Sequence, residues 1–357
     1  MASPGQAATE ATEPCKFTGI APVELLSHAR GLYQLKPPLR ISMRWGGTRG
    51  SMGGMSSSPS NHPWMAQALA VPYVERRLVV AGCPIHYLRW GDGKKPGLVL
   101  VHGGAAHAHW WRFLGPLLVR QYDVVAIDLS GHGDSGSRGS YPRELWAEEV
   151  IAVTAEANFP VKPVLIGHSM GGLVVIIAAA LHGEKLSGAI IVDSPVNRPS
   201  PESEEGEIGR IFRNTKVYPD LATAVGRFRL FPEQPNSEPE MLDYVARQSV
   251  REVEGGWTWK FDPRIFWNTS EDRMDAYLSN VHCRVALLRG ELSVVVPFET
   301  GEYMYELLHR AAPLVEIPQG HHHLMFDQPL ALIAAIRALL ADWTHSIPRP
   351  VSGTIVR

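Results

Sequence analysis

A chain of 357 residues, of which 45% are hydrophobic and 20% charged, has the composition of a globular protein with a sizeable core. Its formal net charge of −2 excludes the basic excess of a typical nucleic-acid binder, so no nucleic-acid partner is expected. The cysteines Cys15, Cys83 and Cys283 are too few and too widely separated for a disulfide framework or a zinc site, which indicates a reducing, cytoplasmic location.

The N-terminal region differs in composition from the rest of the chain. We predict that residues 1–68 form a mostly disordered extension, because residues 40–61 are rich in Gly, Ser, Met and Arg and contain no acidic residue. The chain starts without the basic and apolar segments of a secretory signal, while organelle import through the extension stays open as an alternative to a cytoplasmic location. The apolar run Leu173–Leu181 is about half the length that spans a bilayer, so no stable membrane insertion is expected.

From residue 69 onward, short β-rich runs alternate with segments of helical period. The runs Arg77–Ala81 and Ile85–Trp90 predict an antiparallel hairpin. The remaining runs are almost continuously apolar, which is typical of strands buried on both faces of a parallel sheet. They are Leu98–His102, Val124–Asp128, Val164–Gly167, Ala189–Asp193, Val285–Arg289 and Leu314–Ile317.

Helical segments separate most of these strands, which predicts an α/β protein with a mostly parallel sheet flanked by helices. They are Trp110–Arg120, Glu144–Ala157, Gly171–His182 and Glu302–Ala311. The alternation stops at residues 195–280, where aromatic residues lie among charged ones, and we interpret this stretch as an inserted, mainly helical cap. The core is then expected at residues 69–194 and 281–345, followed by a C-terminal tail at 346–357.

One junction between a predicted strand and a predicted helix has the sequence Gly167-His168-Ser169-Met170-Gly171. A serine in such a strained turn projects its hydroxyl, and the glycines allow backbone approaches that a Cβ would block. The helix that follows directs free N–H groups at the same place, which favours negative charge on a substrate oxygen. We therefore predict that Ser169 is a nucleophile.

Three further motifs occur along the chain. They are Leu100-Val101-His102-Gly103-Gly104, then Asp128-Leu129-Ser130-Gly131-His132-Gly133-Asp134-Ser135, and a histidine-rich turn before Asp327-Gln328-Pro329. With the serine turn, and in this order, they make residues 73–343 resemble the α/β-hydrolase superfamily. The resemblance implies an α/β-hydrolase fold and a serine hydrolase, and it implies a structural role for Asp128.

The resemblance also implies an oxyanion hole. In this superfamily the residue after the His-Gly pair supplies one backbone N–H, and here that residue is Gly104. The residue after the nucleophile supplies the second N–H, and here it is Met170. Such fixed donors need no reorganisation as the oxyanion forms, and losing one typically costs about 3 kcal/mol.

The position of the triad acid departs from the usual pattern. Most members carry it in the loop after the strand that here ends at Gly290, where this chain has Ser293, and a serine cannot stabilise an imidazolium as a carboxylate does. The chain is similar instead to a subset of acyl esterases with the acid after the sixth strand. Asp193 stands there, at the sheet edge where catalytic groups of parallel sheets gather. Glu291 is the alternative acid.

The catalytic base is expected among the adjacent residues His321, His322 and His323. Superfamily members have this histidine seven residues before the proline of a motif such as Asp327-Gln328-Pro329, which indicates His322. Counting from Gly320 instead gives His321 as the alternative base. Neighbouring side chains in an extended turn diverge, and no cysteine or carboxylate has a suitable spacing, so no metal site is predicted.

These assignments predict that His322 deprotonates Ser169 and that an acyl-enzyme forms without a metal or an organic cofactor. A serine nucleophile favours ester hydrolysis over the dehalogenase and epoxide-hydrolase chemistry of the same fold. The expected substrate is a small molecule, a carboxylic ester with a small or medium apolar acyl group.

Several aromatic residues are candidates for the substrate pocket, although each is equally suited to core packing. They are His107, Trp110, Trp111, Trp257 and Trp259. The same catalytic groups would serve a hydrolase of carbon–carbon bonds in β-diketone-like substrates, or of amides or lactones. A slow-turnover, hydrolase-like ligand-binding protein is the alternative from another class.

Overall fold

The computed structural model describes residues 62–198, 216–235, 237–267 and 273–345. The strands are β1 (Val74–Val80), β2 (Cys83–Trp90), β3 (Gly97–Val101), β4 (Asp123–Ile127), β5 (Val164–His168), β6 (Gly188–Val192), β7 (Val250–Val253), β8 (Gly256–Trp259), β9 (Arg284–Gly290) and β10 (Leu314–Ile317). The helices are α1 (Pro63–Ala70), α2 (Arg143–Ala157), α3 (Met170–His182), α4 (Leu221–Val225), α5 (Pro239–Gln248), α6 (Met274–Ser279), α7 (Phe298–Leu307), α8 (Leu324–Asp327) and α9 (Pro329–His345).

Eight strands form one sheet in the order β1-β2-β4-β3-β5-β6-β9-β10. The β1–β2 and β2–β4 pairs are antiparallel, and all pairs from β4 to β10 are parallel. The predicted hairpin and the predicted, mostly parallel sheet are therefore confirmed. The carboxyl ends of β3, β5, β6, β9 and β10 lie at one edge of this sheet, where ligands of open α/β sheets bind.

Both faces of the sheet are covered, which explains why its strands are almost continuously apolar. In β3, Val99 and Val101 face one buried apolar cluster, while Leu98 and Leu100 face another. The first cluster contains residues of α2, α3 and α7, and the second contains residues of α1, α5 and α9. The sheet is thus the middle of three layers, and its strand ends are held rigidly.

One predicted helix, Trp110–Arg120, is wrong. The chain there forms two short 3-10 turns, Ala108–Trp111 and Gly115–Leu117. The reason is Pro116, which has no N–H to donate to the carbonyl four residues earlier and whose ring would clash with that carbonyl in an α-helix. The apolar spacing that indicated a helix instead reflects burial of Trp110 and Trp111 in the core.

The described part of the inserted segment contains helices α4, α5 and α6 and also the antiparallel hairpin β7–β8, which the sequence analysis did not predict. Residues 199–215, 236 and 268–272 of the predicted cap lie outside the described residues. Backbone hydrogen bonds fasten the segment to the loop after β4, from Gly133 N–H to the Lys260 carbonyl (2.7 Å) and from Asp262 N–H to the Gly131 carbonyl (2.8 Å). No helix within the described ranges is long and apolar enough to cross a membrane.

The boundary of the predicted N-terminal extension is wrong at its end. Residues 1–61, like the tail at 346–357, lie outside the described residues, but 63–70 form α1 with Met65 and Ala68 buried. Arg112 holds the end of this helix, because its guanidinium donates to the carbonyls of Ala68 (2.9 Å) and Leu69 (2.6 Å). The Ala68 carbonyl also accepts the N–H of Val71 (3.2 Å), so the arginine adds a second hydrogen bond there and supplies one at Leu69.

We expect Arg112→Met to lower the free energy of unfolding by about 2–3 kcal/mol, because it removes the charged hydrogen bonds that a buried guanidinium makes to the end of α1. Urea unfolding followed by circular dichroism measures the change. Arg120→Met is the matched control, since Arg120 is exposed, and it should change stability by less than about 0.5 kcal/mol. Equal losses in the two variants would contradict this role for Arg112.

Candidate active site

Ser169 lies between β5 and α3 with a backbone φ of 54° and ψ of −124°. Such a positive φ is strained for a serine, and the flanking glycines allow the tight turn around it. A Cβ on Gly171 would collide with the backbone carbonyl of His102, and one on Gly167 with the backbone of Gly171. The turn therefore requires glycine at both positions and directs the serine hydroxyl away from the sheet.

Ser169, His322 and Asp193 form a continuous chain of hydrogen bonds. The Nε2 atom of His322 lies 3.1 Å from the Ser169 hydroxyl, and Nδ1 lies 2.7 Å from Oδ2 of Asp193. Asp193 and His322 are buried, whereas Ser169 is partly exposed. The carboxylate accepts a hydrogen bond from Nδ1–H of His322. The lone pair of the ring is then on Nε2 and faces the hydroxyl of Ser169. This is the arrangement in which an imidazole can deprotonate a serine.

Strand register places Asp193 beside Ser169. His168 of β5 pairs with Val192 of β6, so Ser169 and Asp193 leave the sheet at the same level. The N–H of Ser169 donates to the Val192 carbonyl (3.0 Å), and the N–H of Asp193 donates to Leu288 of the next strand (2.8 Å). Asp193 also has a positive φ of 47°, which ends β6 and turns its side chain toward the histidine.

Ser293 contacts the carboxylate of Asp193, a role that sequence reasoning missed. Its hydroxyl donates to Oδ2 of Asp193 (2.6 Å) and accepts from the N–H groups of Val295 (3.2 Å) and Val296 (3.1 Å). Oδ1 of Asp193 accepts from the N–H of Gly290 (2.8 Å). Ser293, which stands where most members of the superfamily have the acid, therefore contacts the carboxylate that binds His322. Its place in the sequence could have predicted this contact.

The alternative acid and the alternative base lie apart from this chain of hydrogen bonds. Glu291 is exposed, and its carboxylate accepts from the N–H of Gln319 (2.7 Å). His321 is directed at Asp327, with Nδ1 2.9 Å from the carboxylate. The described hydrogen bonds of these side chains do not include Ser169, Asp193 or His322.

The predicted oxyanion loop packs against the serine turn. A Cβ placed on Gly103 would lie 3.2 Å from that of Ser169, and one on Gly104 would lie 3.7 Å from Sδ of Met170. The same point on Gly104 lies 3.1 Å from the ring of Phe266 in the inserted segment. Gly104 thus lies next to the side chain of Met170, and the N–H roles of both residues stay a prediction.

Asp128 joins strand β2 to the loops after β3 and β4 and has the contacts of a structural residue. Its carboxylate accepts from the N–H of Ala108 (2.6 Å), the N–H of Asp134 (2.9 Å) and the ring of His86 (2.7 Å). Burial alone would raise the pKa of Asp128, but the hydrogen bond and charge of His86 hold this pKa below its ordinary value. The carboxylate is therefore ionised and fixes the start of the loop that contains His107.

Of the candidate pocket residues, Trp110 approaches the site. Its ring centre lies 5.5 Å from that of His323 and 4.9 Å from that of Phe326. The other candidates pack elsewhere: Trp111 is fully buried, His107 bonds to Ser249 (2.8 Å), Trp257 pairs through its backbone with Tyr218, and Trp259 contacts the Tyr218 ring. Within the described ranges, none of these four rings contacts the ring of His322.

The inserted segment also holds the loop that contains His322. Gln234 accepts the N–H of His323 (2.8 Å) with Oε1 and donates to the His323 carbonyl (3.2 Å) with Nε2. The Nε2 atom of His323 donates to the carbonyl of Phe231 (3.1 Å). These contacts fix the backbone directly after His322.

Comparisons with known proteins agree with this fold. The sequence profile of the Alpha/beta hydrolase family matches residues 98–336. The chain is 31% identical over 288 residues to the esterase Rv0045c of Mycobacterium tuberculosis, covering 76% of this chain and 90% of that protein.

Two solved structures are similar in fold. A thioesterase domain from the curacin biosynthetic pathway has a TM-score of 0.64 at 24% identity, covering 74% of this chain and 99% of that one. E-2-(Acetamidomethylene)succinate hydrolase has a TM-score of 0.66 at 19% identity, covering 76% and 100% of the two chains. The family profile and the relative from Mycobacterium tuberculosis together show that the chain is a hydrolase of the alpha/beta hydrolase family.

Proposed function

We propose that this hydrolase is a serine esterase that cleaves carboxylic esters with a small or medium apolar acyl group. The observation that carries the proposal is the chain of hydrogen bonds from Ser169 through His322 to Asp193. A serine hydroxyl is a weak nucleophile until a positioned base takes its proton, and a buried carboxylate stabilises the imidazolium that results.

In the proposed reaction, Oγ of Ser169 attacks the ester carbonyl carbon while Nε2 of His322 takes the hydroxyl proton. The N–H groups of Gly104 and Met170 stabilise the oxyanion of the tetrahedral intermediate. The intermediate collapses, and the alcohol leaves with the proton from His322, so Ser169 carries the acyl group. His322 then deprotonates a water molecule, which attacks the acyl-enzyme. As the bond from the acyl carbon to Oγ breaks and the acid leaves, His322 returns the proton to Oγ of Ser169.

An apolar acyl group is supported by the surroundings of the serine. Phe266 packs against Gly104 on one side, and Trp110 lies beside His323 on the other. Aromatic side chains of this kind bind apolar groups without competing for the carbonyl oxygen. The relative of Mycobacterium tuberculosis that is named an esterase supports the same reaction type.

A substrate panel tests the proposal on the full-length chain. We expect kcat/KM for p-nitrophenyl esters, from acetyl to dodecanoyl, to exceed that for the matching p-nitroanilides by about 100-fold or more, because an amide is a poorer acyl donor. A lactone and a vinylogous β-diketone complete the panel.

A higher kcat/KM for the β-diketone, the lactone or the anilide would contradict ester hydrolysis and assign one of those reactions instead. A fluorophosphonate probe that labels Ser169 in a protein without measurable turnover of any substrate would favour a ligand-binding function.

A further inference from the structure

The peptide group that joins His322 to His323 is held by two different parts of the chain. Its carbonyl, which belongs to His322, accepts a hydrogen bond from Nε2 of His168 at the end of β5 (2.9 Å). Its N–H, which belongs to His323, donates to Oε1 of Gln234 in the inserted segment (2.8 Å). A planar peptide group that is bonded at both polar atoms has little freedom to rotate. The core and the inserted segment therefore fix the backbone next to the proposed base together.

The amide of Gln234 matches the backbone of His323 because it carries an acceptor and donors. While Oε1 accepts the N–H of His323, Nε2 donates to the His323 carbonyl (3.2 Å) and to the hydroxyl of Ser237 (3.3 Å). A backbone N–H only donates and a carbonyl only accepts, so chemistry determines which end of the amide faces each group. Both hydrogens of the amide are used, which holds the side chain in one orientation.

The residues around Gln234 bind the same loop through bonds of their own. The ring of His323 donates from Nε2 to the Phe231 carbonyl (3.1 Å), and the N–H of Glu238 donates to the Phe326 carbonyl (3.0 Å). Burial lowers the pKa of His323 well below its ordinary value, so this ring is neutral. A variant that lacks only the Gln234 amide retains both bonds, and the inserted segment should therefore stay attached to the loop.

The hydrogen bonds of the His322 ring depend on where this backbone lies. Nε2 of His322 lies 3.1 Å from the hydroxyl of Ser169, near the upper end of the range of about 2.6–3.2 Å over which a base can take a proton. Misplacement of a reacting group by about 1 Å can lower a rate by about 100-fold. A small rotation of the peptide after His322 would therefore reduce the rate at which Ser169 is deprotonated.

We propose that Gln234 is a positioning residue for the base, whose amide holds the backbone after His322 so that Nε2 stays within reach of the Ser169 hydroxyl. Among the described residues, the hydrogen bonds of Gln234 do not include Ser169, Asp193 or the ring of His322. Gln234 therefore acts through the backbone of His323. The role of His322 as base rests on the proposed function, whereas the hold of Gln234 on the loop does not.

The hydrolysis of p-nitrophenyl esters by the full-length chain tests this role. Gln234→Met has a side chain of similar length without the amide, and we expect it to lower kcat by about 10- to 100-fold. The KM should stay within about twofold of the wild type, because the change misplaces the base and leaves substrate binding intact. Gln234→Asn retains the amide on a side chain that is one methylene shorter, and it should lower kcat by at least about threefold.

Gln121→Met is the matched control. Gln121 is exposed and precedes β4 at the amino end of the strand, opposite the site. Its kcat and KM should stay within about twofold of the wild type. Far-UV circular dichroism and urea unfolding check that each variant is folded under the assay conditions.

A fluorophosphonate probe separates positioning from ester hydrolysis, because its reaction with Ser169 also needs the base. The rate constant of labelling should fall in Gln234→Met by about the same factor as kcat. An unchanged kcat in both folded Gln234 variants, or a higher KM with kcat unchanged, would overturn the proposal. A wild type that hydrolyses no ester, yet is labelled faster than Gln234→Met, would support the positioning role and contradict the proposed function.

Discussion

Ser169→Ala is expected to lower kcat for p-nitrophenyl esters by about a millionfold, with little change in the folded structure. The alanine has no hydroxyl, so no acyl-enzyme forms, and only oxyanion stabilisation and substrate binding contribute to the residual rate. Steady-state kinetics of the purified variant measure the loss, and mass spectrometry after a short pulse of substrate detects the missing acyl adduct.

Ser187→Ala is a matched control for this variant. Ser187 precedes β6 at the amino end of the strand, opposite the site, and its hydroxyl donates to the Lys162 carbonyl. We expect its kcat to stay within about twofold of the wild type, since surface changes far from a site have small effects. A kcat for Ser169→Ala within about tenfold of the wild type would show that another residue is the nucleophile.

Asp193→Asn is expected to lower kcat by about 10,000-fold, because an amide that donates toward Nδ1 of His322 favours the wrong tautomer. Asparagine tolerates the positive φ of 47° at this position, so the backbone should be retained. Glu291→Gln removes the alternative carboxylate and should change kcat by less than about twofold. A larger loss of kcat in Glu291→Gln than in Asp193→Asn would mean that Glu291, and not Asp193, is the acid.

A second carboxylate can test the geometry around the acid. The hydroxyl of Ser293 lies 2.6 Å from the same Asp193 oxygen that binds His322. We expect the double variant Asp193→Asn, Ser293→Asp to recover at least about tenfold of the lost kcat, since it restores a charge near Nδ1. No recovery in a folded double variant would mean that residue 293 cannot reach the histidine.

The fold was predictable where burial leaves a strong pattern. Strands buried on both faces are continuous apolar runs, and the predicted run Val164–Gly167 lies within β5, whose five residues are all buried. The prediction failed at Gly115-Pro116, where apolar spacing resembled a helix that proline interrupts. It also missed β7–β8, because the residues of β8 are only half-buried and show no clear alternation.

The candidate site was predictable to the extent that motif order determines which residues reach the same sheet edge. Asp193 and Ser169 follow adjacent parallel strands, so their proximity was expected from the sequence. The contacts of Ser293 and His168 were not, because they depend on strand register and on the path of the last loop. His168 bonds to the carbonyl of a residue 154 positions away, a separation that no local pattern encodes.

Gln234 forms hydrogen bonds with both the N–H and the carbonyl of His323, and this has a consequence for protein engineering. An exchange of the insertion with that of a relative, made to change specificity, would also exchange the donor and acceptor that anchor the backbone next to His322. Grafts of that kind should therefore retain a glutamine opposite residue 323, or kcat will fall for reasons unrelated to the new pocket.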